Sequence, residues 1–195
     1  LYFSCMLLKI LDKKTLSDNW YKLFKYTFRY KKRNGTVEIQ KREVYDRGNG
    51  AAILLYNLEK KTIILTRQFR LPTYLNQNKD GMMTEVCAGI LDEKDPEQCV
   101  IRETKEETGY EIKSAQKIFE AYMSPGAVTE IIHFFIAEYK PHMKTGKGGG
   151  LEKETEDIEV LELEFNKAYN MIEKGEIKDA KTILLLQHAK ISKLF

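Results

Sequence analysis

Hydrophobic and polar positions follow strand-like periods over most of the chain and helix-like periods in three places. Apolar runs and alternating patterns predict strands at residues 20–30, 36–45, 51–58, 62–69, 83–88, 112–123, 128–139 and 158–165. Helices are predicted at residues 96–108, 166–174 and 181–193, and residues 73–81 predict a polar loop. The turn at residues 33–35 joins the first two strands in a hairpin. Together these elements predict an α+β fold with helices outside a sheet.

The composition favours a single domain with a hydrophobic core and indicates neither a nucleic-acid partner nor a membrane. Of 195 residues, 43% are hydrophobic, and the net charge of +3 is too small to indicate a polyanionic partner. No apolar run reaches the ~20 residues that span a bilayer, and nothing resembles a signal peptide. The three cysteines lack CxxC spacing, so neither disulfides nor zinc are indicated. We therefore expect a cytoplasmic protein, whose residues 1–5 resemble a tag remnant.

The most distinctive segment, residues 89–110, has the sequence GILDEKDPEQCVIRETKEETGY. In a helix, residues three and four apart are neighbours, so Glu103, Glu106 and Glu107 form one acidic stripe, which we expect to be exposed. Like charges at this spacing cost about 0.2–0.5 kcal/mol per pair, and a bound cation would reverse that penalty. Hard divalent ions such as Mg²⁺ take carboxylate oxygens. The alternative is a solvated helix face in which Arg102 pairs with Glu106.

This segment resembles the Nudix box: Gly, five residues, Glu, seven residues, then Arg-Glu-(aliphatic)-x-Glu-Glu-x-Gly-(aliphatic). The matching positions are Gly89, Arg102, Glu103, Glu106, Glu107 and Gly109. The chain departs from the pattern by a Gly-to-Arg spacing one residue shorter, by Thr104 and Tyr110 in place of aliphatics, and by the missing first Glu. Asp95, nearest that slot, is predicted to cap the helix N-terminus. The resemblance implies an α/β/α sandwich with a mixed sheet, and Mg²⁺ as cofactor, with Mn²⁺ as a possible substitute.

Segments outside the box are similar to the GDP-mannose pyrophosphatase branch of the Nudix hydrolases, which is related to the ADP-ribose pyrophosphatases. They include SDNWYKL, KREVYDRGNGA, TRQFR, CAGILD, YMSPGAVTEIIHFFIAEY and GGGLEKETEDIEVLEL, within residues 16–188. The resemblance implies Mg²⁺-dependent hydrolysis of GDP-mannose to GMP and mannose 1-phosphate. Two alternatives stay open: hydrolysis of ADP-ribose or another ADP-sugar, and a non-catalytic nucleotide-sensing module.

The same resemblance implies a division of the chain and an assembly. Residues 6–47 would form an N-terminal β extension, and residues 48–195 the hydrolase domain. In the resembled branch the extension is exchanged between the subunits of a homodimer, so that each active site borrows residues from its partner. We expect Lys41, Arg42 and Glu43 to be borrowed in this way and Trp20 to stack on a purine, although a lone Trp is more often a core residue.

The candidate catalytic and metal-binding residues lie mainly in the box. Glu103 and Glu107, one turn apart, are the best metal ligands; Glu106 is a third carboxylate, and Arg102 can orient these side chains. By resemblance, the backbone carbonyl of Ala88 completes the metal site.

A further acid is expected in the loop that follows residues 144–150, a Gly- and Lys-rich segment flexible enough to be a lid. By resemblance, Glu156 is a metal ligand or the base, and it also contacts the substrate. Glu154 or Asp157 could hold this role instead. A loop of this composition is also commonly just solvated.

Other residues are candidates for substrate binding. Arg70, which ends the apolar strand segment TRQFR, suits phosphate oxygens because a guanidinium binds them bidentately. Lys181 begins an apolar helix and is either a second phosphate ligand or a surface lysine. Glu130 is either a sugar or base ligand or a partner for a lysine. The resemblance also implies that Ala88, Gly89, Ile90 and Glu107 contact the substrate.

Overall fold

A computed structural model describes residues 8–91, 95–151, 153 and 155–195 of the chain. The predicted tag remnant at residues 1–5 lies outside these residues. The chain divides into two compact units: Leu1–Asn49 with Tyr122–Ile131, and Gly50–Ala121 with Ile132–Phe195. Across the described residues, no helix is long and apolar enough to cross a membrane.

The first unit contains an antiparallel sheet of three strands, β1 (Leu8–Asp18), β2 (Lys22–Lys31) and β3 (Val37–Asp46), in the order β1-β2-β3. The β2–β3 pair is the predicted hairpin, and Gly35 takes the left-handed conformation in its turn. The sequence did not predict β1. Its pairing with β2 is interrupted by two register shifts, and a bulge breaks the period-two alternation on which a strand prediction depends.

Residues 122–131 complete the first unit by pairing with the end of β3. The backbone N–H of Tyr45 donates to Ala127, and that of Thr129 donates to Tyr45, at 2.7 and 3.1 Å. Asp46 accepts a further bond from the Thr129 hydroxyl at 3.1 Å. The sequence predicts strands over residues 112–123 and 128–139, which overlap both ends of this segment. In the structure only Tyr122 and Ile131 of the segment lie in strands, as the last residue of one strand and the first residue of the next.

The second unit contains a mixed sheet of seven strands. They are β4 (Gly50–Asn57), β5 (Thr62–Phe69), β6 (Met82–Glu85), β7 (Cys87–Ile90), β8 (Gln116–Tyr122), β9 (Ile131–Glu138) and β10 (Glu159–Glu164). The order is β10-β5-β4-β9-β8, with β6 paired to β5 and β7 paired to β4. Strands β4 and β9 run parallel, whereas β4 is antiparallel to β5 and β7. The central strand β4 is an almost continuous buried apolar run, as a strand covered on both faces requires.

Helices lie on both faces of this sheet, which confirms the predicted α/β/α sandwich. They are α1 (Leu71–Leu75), α2 (Pro96–Glu103), α3 (Phe165–Glu173) and α4 (Ala180–Ile191), with a π-helical turn at Thr104–Thr108 and a 3₁₀ turn at Pro141–Met143. Val100 of α2 packs in a core cluster with Ala51 and Ile53 of β4. Side chains alternate along a strand, so Ala52 and Leu54 face the opposite layer, where α4 contacts β4. Helix α1, which has Pro72 in its first turn, falls partly within the segment predicted as a loop.

Candidate active site

The box helix begins and ends where the sequence predicts, but its last turn is π-helical, which the sequence does not predict. The Asp95 carboxylate accepts the Glu97 N–H at 3.0 Å, and Pro96 occupies the first helical position. The last turn, Thr104–Thr108, is π-helical, and Gly109 ends it in the left-handed conformation with φ of 76°. π-helical turns within α-helices are frequent at functional sites.

Glu107 is buried, contrary to the expectation that the acidic stripe is exposed. Only 2% of the residue is exposed, and it lies in the π-helical turn between the fully buried Thr104 and Thr108. Its Oε2 makes no hydrogen bond with the described part of the chain. A buried oxygen without a partner is costly, so this carboxylate is suited to a positive ligand.

The electrostatic environment of Glu107 points to the same conclusion. The pKa of Glu107 is raised to about 8, and burial is the largest cause. The nearby carboxylates of Glu103 and Glu156 contribute to this rise, whereas the Cys87 thiol, through a hydrogen bond, and Arg70 oppose it. The structure therefore brings together three of the predicted acids and one predicted phosphate ligand.

Glu103 lies against the end of β7. A Cβ atom added at Gly89 would lie 2.2 Å from the Glu103 Oε1, so glycine is what lets this carboxylate approach the strand. Arg102 holds two of the acids in place: its Nη2 lies 2.9 Å from the Glu103 Oε1, and its Nη1 lies 3.0 Å from the Glu106 Oε2. Arg102 therefore contacts two of the acids that we expect it to orient. Its contact with Glu106 is also the i,i+4 pair that a solvated helix face would contain.

The glycine-rich segment 144–150, expected to be flexible enough for a lid, is hydrogen-bonded to the end of the box. The Gly149 N–H donates to the Glu107 carbonyl at 2.8 Å, and the Gly150 N–H donates to the Glu106 carbonyl at 3.2 Å. A Cβ at Gly148 would lie only 2.4 Å from the Glu107 carbonyl oxygen. The glycines are therefore needed for this close approach, which fixes the backbone of the π-helical turn.

Glu156 follows this segment and is half-buried. Its Oε2 accepts the Leu151 N–H at 3.0 Å, and its charge acts on Glu107. Asp157, one of the two alternatives, is exposed. The other, Glu154, lies outside the described residues.

Arg70 and Lys181 meet at an acid that sequence reasoning missed. The Arg70 Nε and Nη2 donate to one oxygen of Glu85 at 2.9 and 2.7 Å, and the Lys181 Nζ lies 3.7 Å from the other. The sequence feature that could have revealed Glu85 is its position as a single acid directly before the apolar strand segment VCAG, where a charged residue is seldom buried without a partner.

The remaining candidates belong to the first unit. Trp20 is 83% exposed and makes an edge contact with Tyr21, so it is not a core residue. The Glu130 Oε1 lies 3.2 Å from the Arg47 Nε. From the sequence, Glu130 is expected to be either a ligand of the sugar or base or the partner of a lysine, and the partner observed is an arginine. The three predicted residues of β3, which are Lys41, Arg42 and Glu43, are exposed.

The acids of the second unit fit a divalent cation. Within residues 8–91, 95–151, 153 and 155–195, no group of three or more His, Cys, Asp or Glu side chains is placed so that it could hold a metal ion. Mg²⁺, however, is commonly held by one or two carboxylates and completes its shell with water and substrate phosphates. Glu107, with its unpartnered oxygen, and Glu103 beside it supply such a pair, next to β7, the strand that contains Ala88. A divalent ion bound there would neutralise phosphate charge and activate water.

Comparison with known proteins agrees with this fold and box. Residues 46–187 match the family model described as NUDIX domain, and residues 8–45 match the model described as GDP-mannose pyrophosphatase NudK N-terminal domain. The chain therefore belongs to the Nudix family of hydrolases.

Curated relatives that cover nearly the whole chain carry the name GDP-mannose pyrophosphatase. The protein of Pectobacterium atrosepticum is 58% identical over 93% of this chain and 93% of its own length. Those of Yersinia enterocolitica and Salmonella typhimurium are 60% and 55% identical, over 90% and 95% of this chain and 91% and 96% of their own lengths. These relationships favour an enzyme over the non-catalytic nucleotide-sensing module.

Proposed function

We propose that this enzyme hydrolyses the diphosphate of GDP-mannose, with Mg²⁺ as cofactor and Mn²⁺ as a possible substitute, and releases GMP and mannose 1-phosphate. The observation that carries the metal-dependent part is the buried Glu107, whose unpartnered oxygen and raised pKa call for a cation. The names of the relatives, at 55–60% identity, support the substrate.

The proposed chemistry assigns a task to each acid of the second unit. Glu103 and Glu107, with the Ala88 carbonyl and Glu156, would hold the metal, and Glu106 would assist. Glu156 is also the proposed base: it would take a proton from the water whose oxygen attacks one phosphorus. The bond from that phosphorus to the bridging oxygen breaks, and this oxygen leaves with the other phosphate.

The proposed substrate contacts divide between the diphosphate and the rest of the nucleotide sugar. Arg70 and Lys181 would bind phosphate oxygens, near the backbone of Gly89 and Ile90. Trp20 and Glu130 would contact the base or the sugar. Trp20 is suited to stacking because its ring is exposed.

Product chromatography after incubation with Mg²⁺, with GDP-mannose and ADP-ribose side by side, tests this proposal. We expect a higher kcat/KM for GDP-mannose, with GMP and mannose 1-phosphate as products. A higher value for ADP-ribose would retain the chemistry and reject the substrate. Turnover of neither compound would reject the proposed activity.

We also propose that the enzyme is a homodimer in which the N-terminal extension of each subunit supplies Lys41, Arg42 and Glu43 to its partner. Exposed apolar side chains on the three-stranded sheet support an interface there: Leu8, Ile10, Leu11, Leu16, Val37 and Ile39. Light scattering tests the assembly, and a monomer at micromolar concentration would reject it. Mixing Arg42→Ala subunits with Glu107→Gln subunits tests whether each active site contains residues of both subunits. The cytoplasmic location stays a prediction.

A further inference from the structure

Glu85 is a buried acid to which neither the box nor the proposed chemistry gives a role. It ends β6, and its side chain is only 6% exposed. Burying a carboxylate is costly unless cations compensate it, so such a residue needs a specific reason to be there. Two cations, Arg70 and Lys181, lie against it on opposite oxygens.

Arg70 is held through two donors on one side. Its Nε and Nη2 both donate to the Glu85 Oε2, at 2.9 and 2.7 Å, and this fixes the plane of the guanidinium. Its Nη1 makes no hydrogen bond with the described residues, and the side chain is 41% exposed. The guanidinium also lies near enough to Glu107 for their charges to interact. Arg70 therefore presents a free donor close to the acidic site.

Lys181 is held between two acids near the start of α4. Its Nζ lies 3.7 Å from the Glu85 Oε1 and 2.7 Å from the Asp179 Oδ1. Asp179 caps the helix by accepting the N–H and the hydroxyl of Thr182, at 2.9 and 2.7 Å. The Thr182 hydroxyl oxygen in turn accepts the N–H of Val86, the residue after Glu85, at 2.8 Å. The helix start is thus tied directly to the backbone beside Glu85.

We propose that Glu85 is a positioning residue for diphosphate binding, because it holds Arg70 and Lys181 at a fixed separation from which both contact the phosphate oxygens. Glu85 does not itself contact the substrate, since two anionic groups repel each other. Cations that are held before binding lose less conformational freedom when the diphosphate arrives. This inference rests on the proposed function for the roles of Arg70 and Lys181.

Inorganic pyrophosphate, titrated calorimetrically, tests this inference independently of the sugar and of turnover. Glu85→Gln keeps the volume but removes the charge and places an amide NH₂ against the cations. We expect about a 10- to 100-fold weaker affinity, as for the loss of charge-assisted hydrogen bonds. The matched control is Glu162→Gln, which removes a carboxylate from β10 that contacts Lys60 and Thr62. We expect its affinity to stay within about twofold of wild type, because it lies outside the proposed site.

A double-mutant cycle distinguishes positioning from a general structural role. If Glu85 acts through Arg70, Glu85→Gln should weaken pyrophosphate binding much less in an Arg70→Ala background than in wild type. With GDP-mannose, Glu85→Gln should raise KM by a similar factor and change kcat less than about threefold. Glu85→Asp keeps the charge but not the reach, so it should lower the affinity for pyrophosphate even if Glu85→Gln does not fold.

The inference is overturned if folded Glu85→Gln or Glu85→Asp binds pyrophosphate like wild type. Fully additive effects with Arg70→Ala, or a wild type without affinity for pyrophosphate, would overturn it as well. If the proposed substrate is wrong, GDP-mannose is not hydrolysed. The pyrophosphate titrations still decide the role of Glu85 in that case, because they do not depend on turnover.

Discussion

Replacing Glu107 with glutamine should separate the stability of the site from its activity. The amide keeps the size of the side chain and an oxygen that can accept the hydrogen bond of the Cys87 thiol. It removes the negative charge that we propose binds the metal. We therefore expect opposite effects: the metal-free variant gains stability and the enzyme loses turnover.

The gain in stability follows from the pKa of Glu107. In the folded, metal-free protein this pKa is raised from 4.5 to about 8, chiefly because burial disfavours the charged form. At pH 7 the unfolded carboxyl has lost its proton and the folded one keeps it, a cost of ~3 kcal/mol. Because the pKa is higher in the folded state than in the unfolded state, this cost to stability is absent below pH 4.5 and grows as the pH rises toward 8.

Thermal unfolding in EDTA measures this gain. At pH 7 we expect Glu107→Gln to unfold at a Tm about 6–12 °C above that of wild type, given ~2–4 °C per kcal/mol at this chain length. The difference should vanish near pH 4.5. Excess Mg²⁺ should stabilise wild type more than the variant, because it binds the folded state. Turnover of GDP-mannose should fall at least about 100-fold, since metal ligation supplies several kcal/mol of transition-state stabilisation.

The matched control is Glu111→Gln, the same chemical change at an exposed residue paired with Lys105. It should alter neither Tm nor turnover appreciably. A Glu107→Gln variant whose metal-free stability equals that of wild type at pH 8 would refute the reasoning from burial. A variant that retains near-normal turnover would refute the metal assignment.

Three further predictions concern the same site. Mg²⁺ binding at pH 7 should release about one proton from Glu107, measurable by calorimetry in two buffers with different ionisation enthalpies; release of none would contradict its protonated state. Gly89→Ala should weaken metal binding about 10- to 100-fold because its Cβ displaces the neighbouring carboxylate, whereas Gly126→Ala, with open space around the Cβ, should not. Glu156→Gln should lower kcat about 100-fold or more, as loss of a base does, and Asp157→Asn less than threefold; equal effects would remove Glu156 as the base.

Much of the second unit follows from patterns that are local in the sequence. The apolar run of β4 predicts a central strand, and the Asp95-Pro96 pair and Gly109 predict both ends of the box helix. Strand β1 escapes prediction because its bulges shift the alternation of side chains. Helix α1 is too short, at five residues, for a helical period to emerge.

The site depends on contacts that no local pattern contains. Charge spacing predicts an acidic stripe but not the burial of Glu107, which depends on the π-helical turn and on Gly149 bonded to its backbone. Glu85 is a single acid in the sequence, and its cations come from the end of β5 and from α4. Such roles emerge only when distant segments fold together.

Phosphorus NMR of GDP-mannose with the enzyme and Mg²⁺ tests the central claim most directly. We expect the two coupled diphosphate signals to be replaced by two phosphomonoester signals, those of GMP and mannose 1-phosphate. The conversion should stop in EDTA and in Glu107→Gln. A diphosphate that stays intact with Mg²⁺, or one that is cleaved equally well in EDTA, would contradict a metal-dependent hydrolase built on this carboxylate.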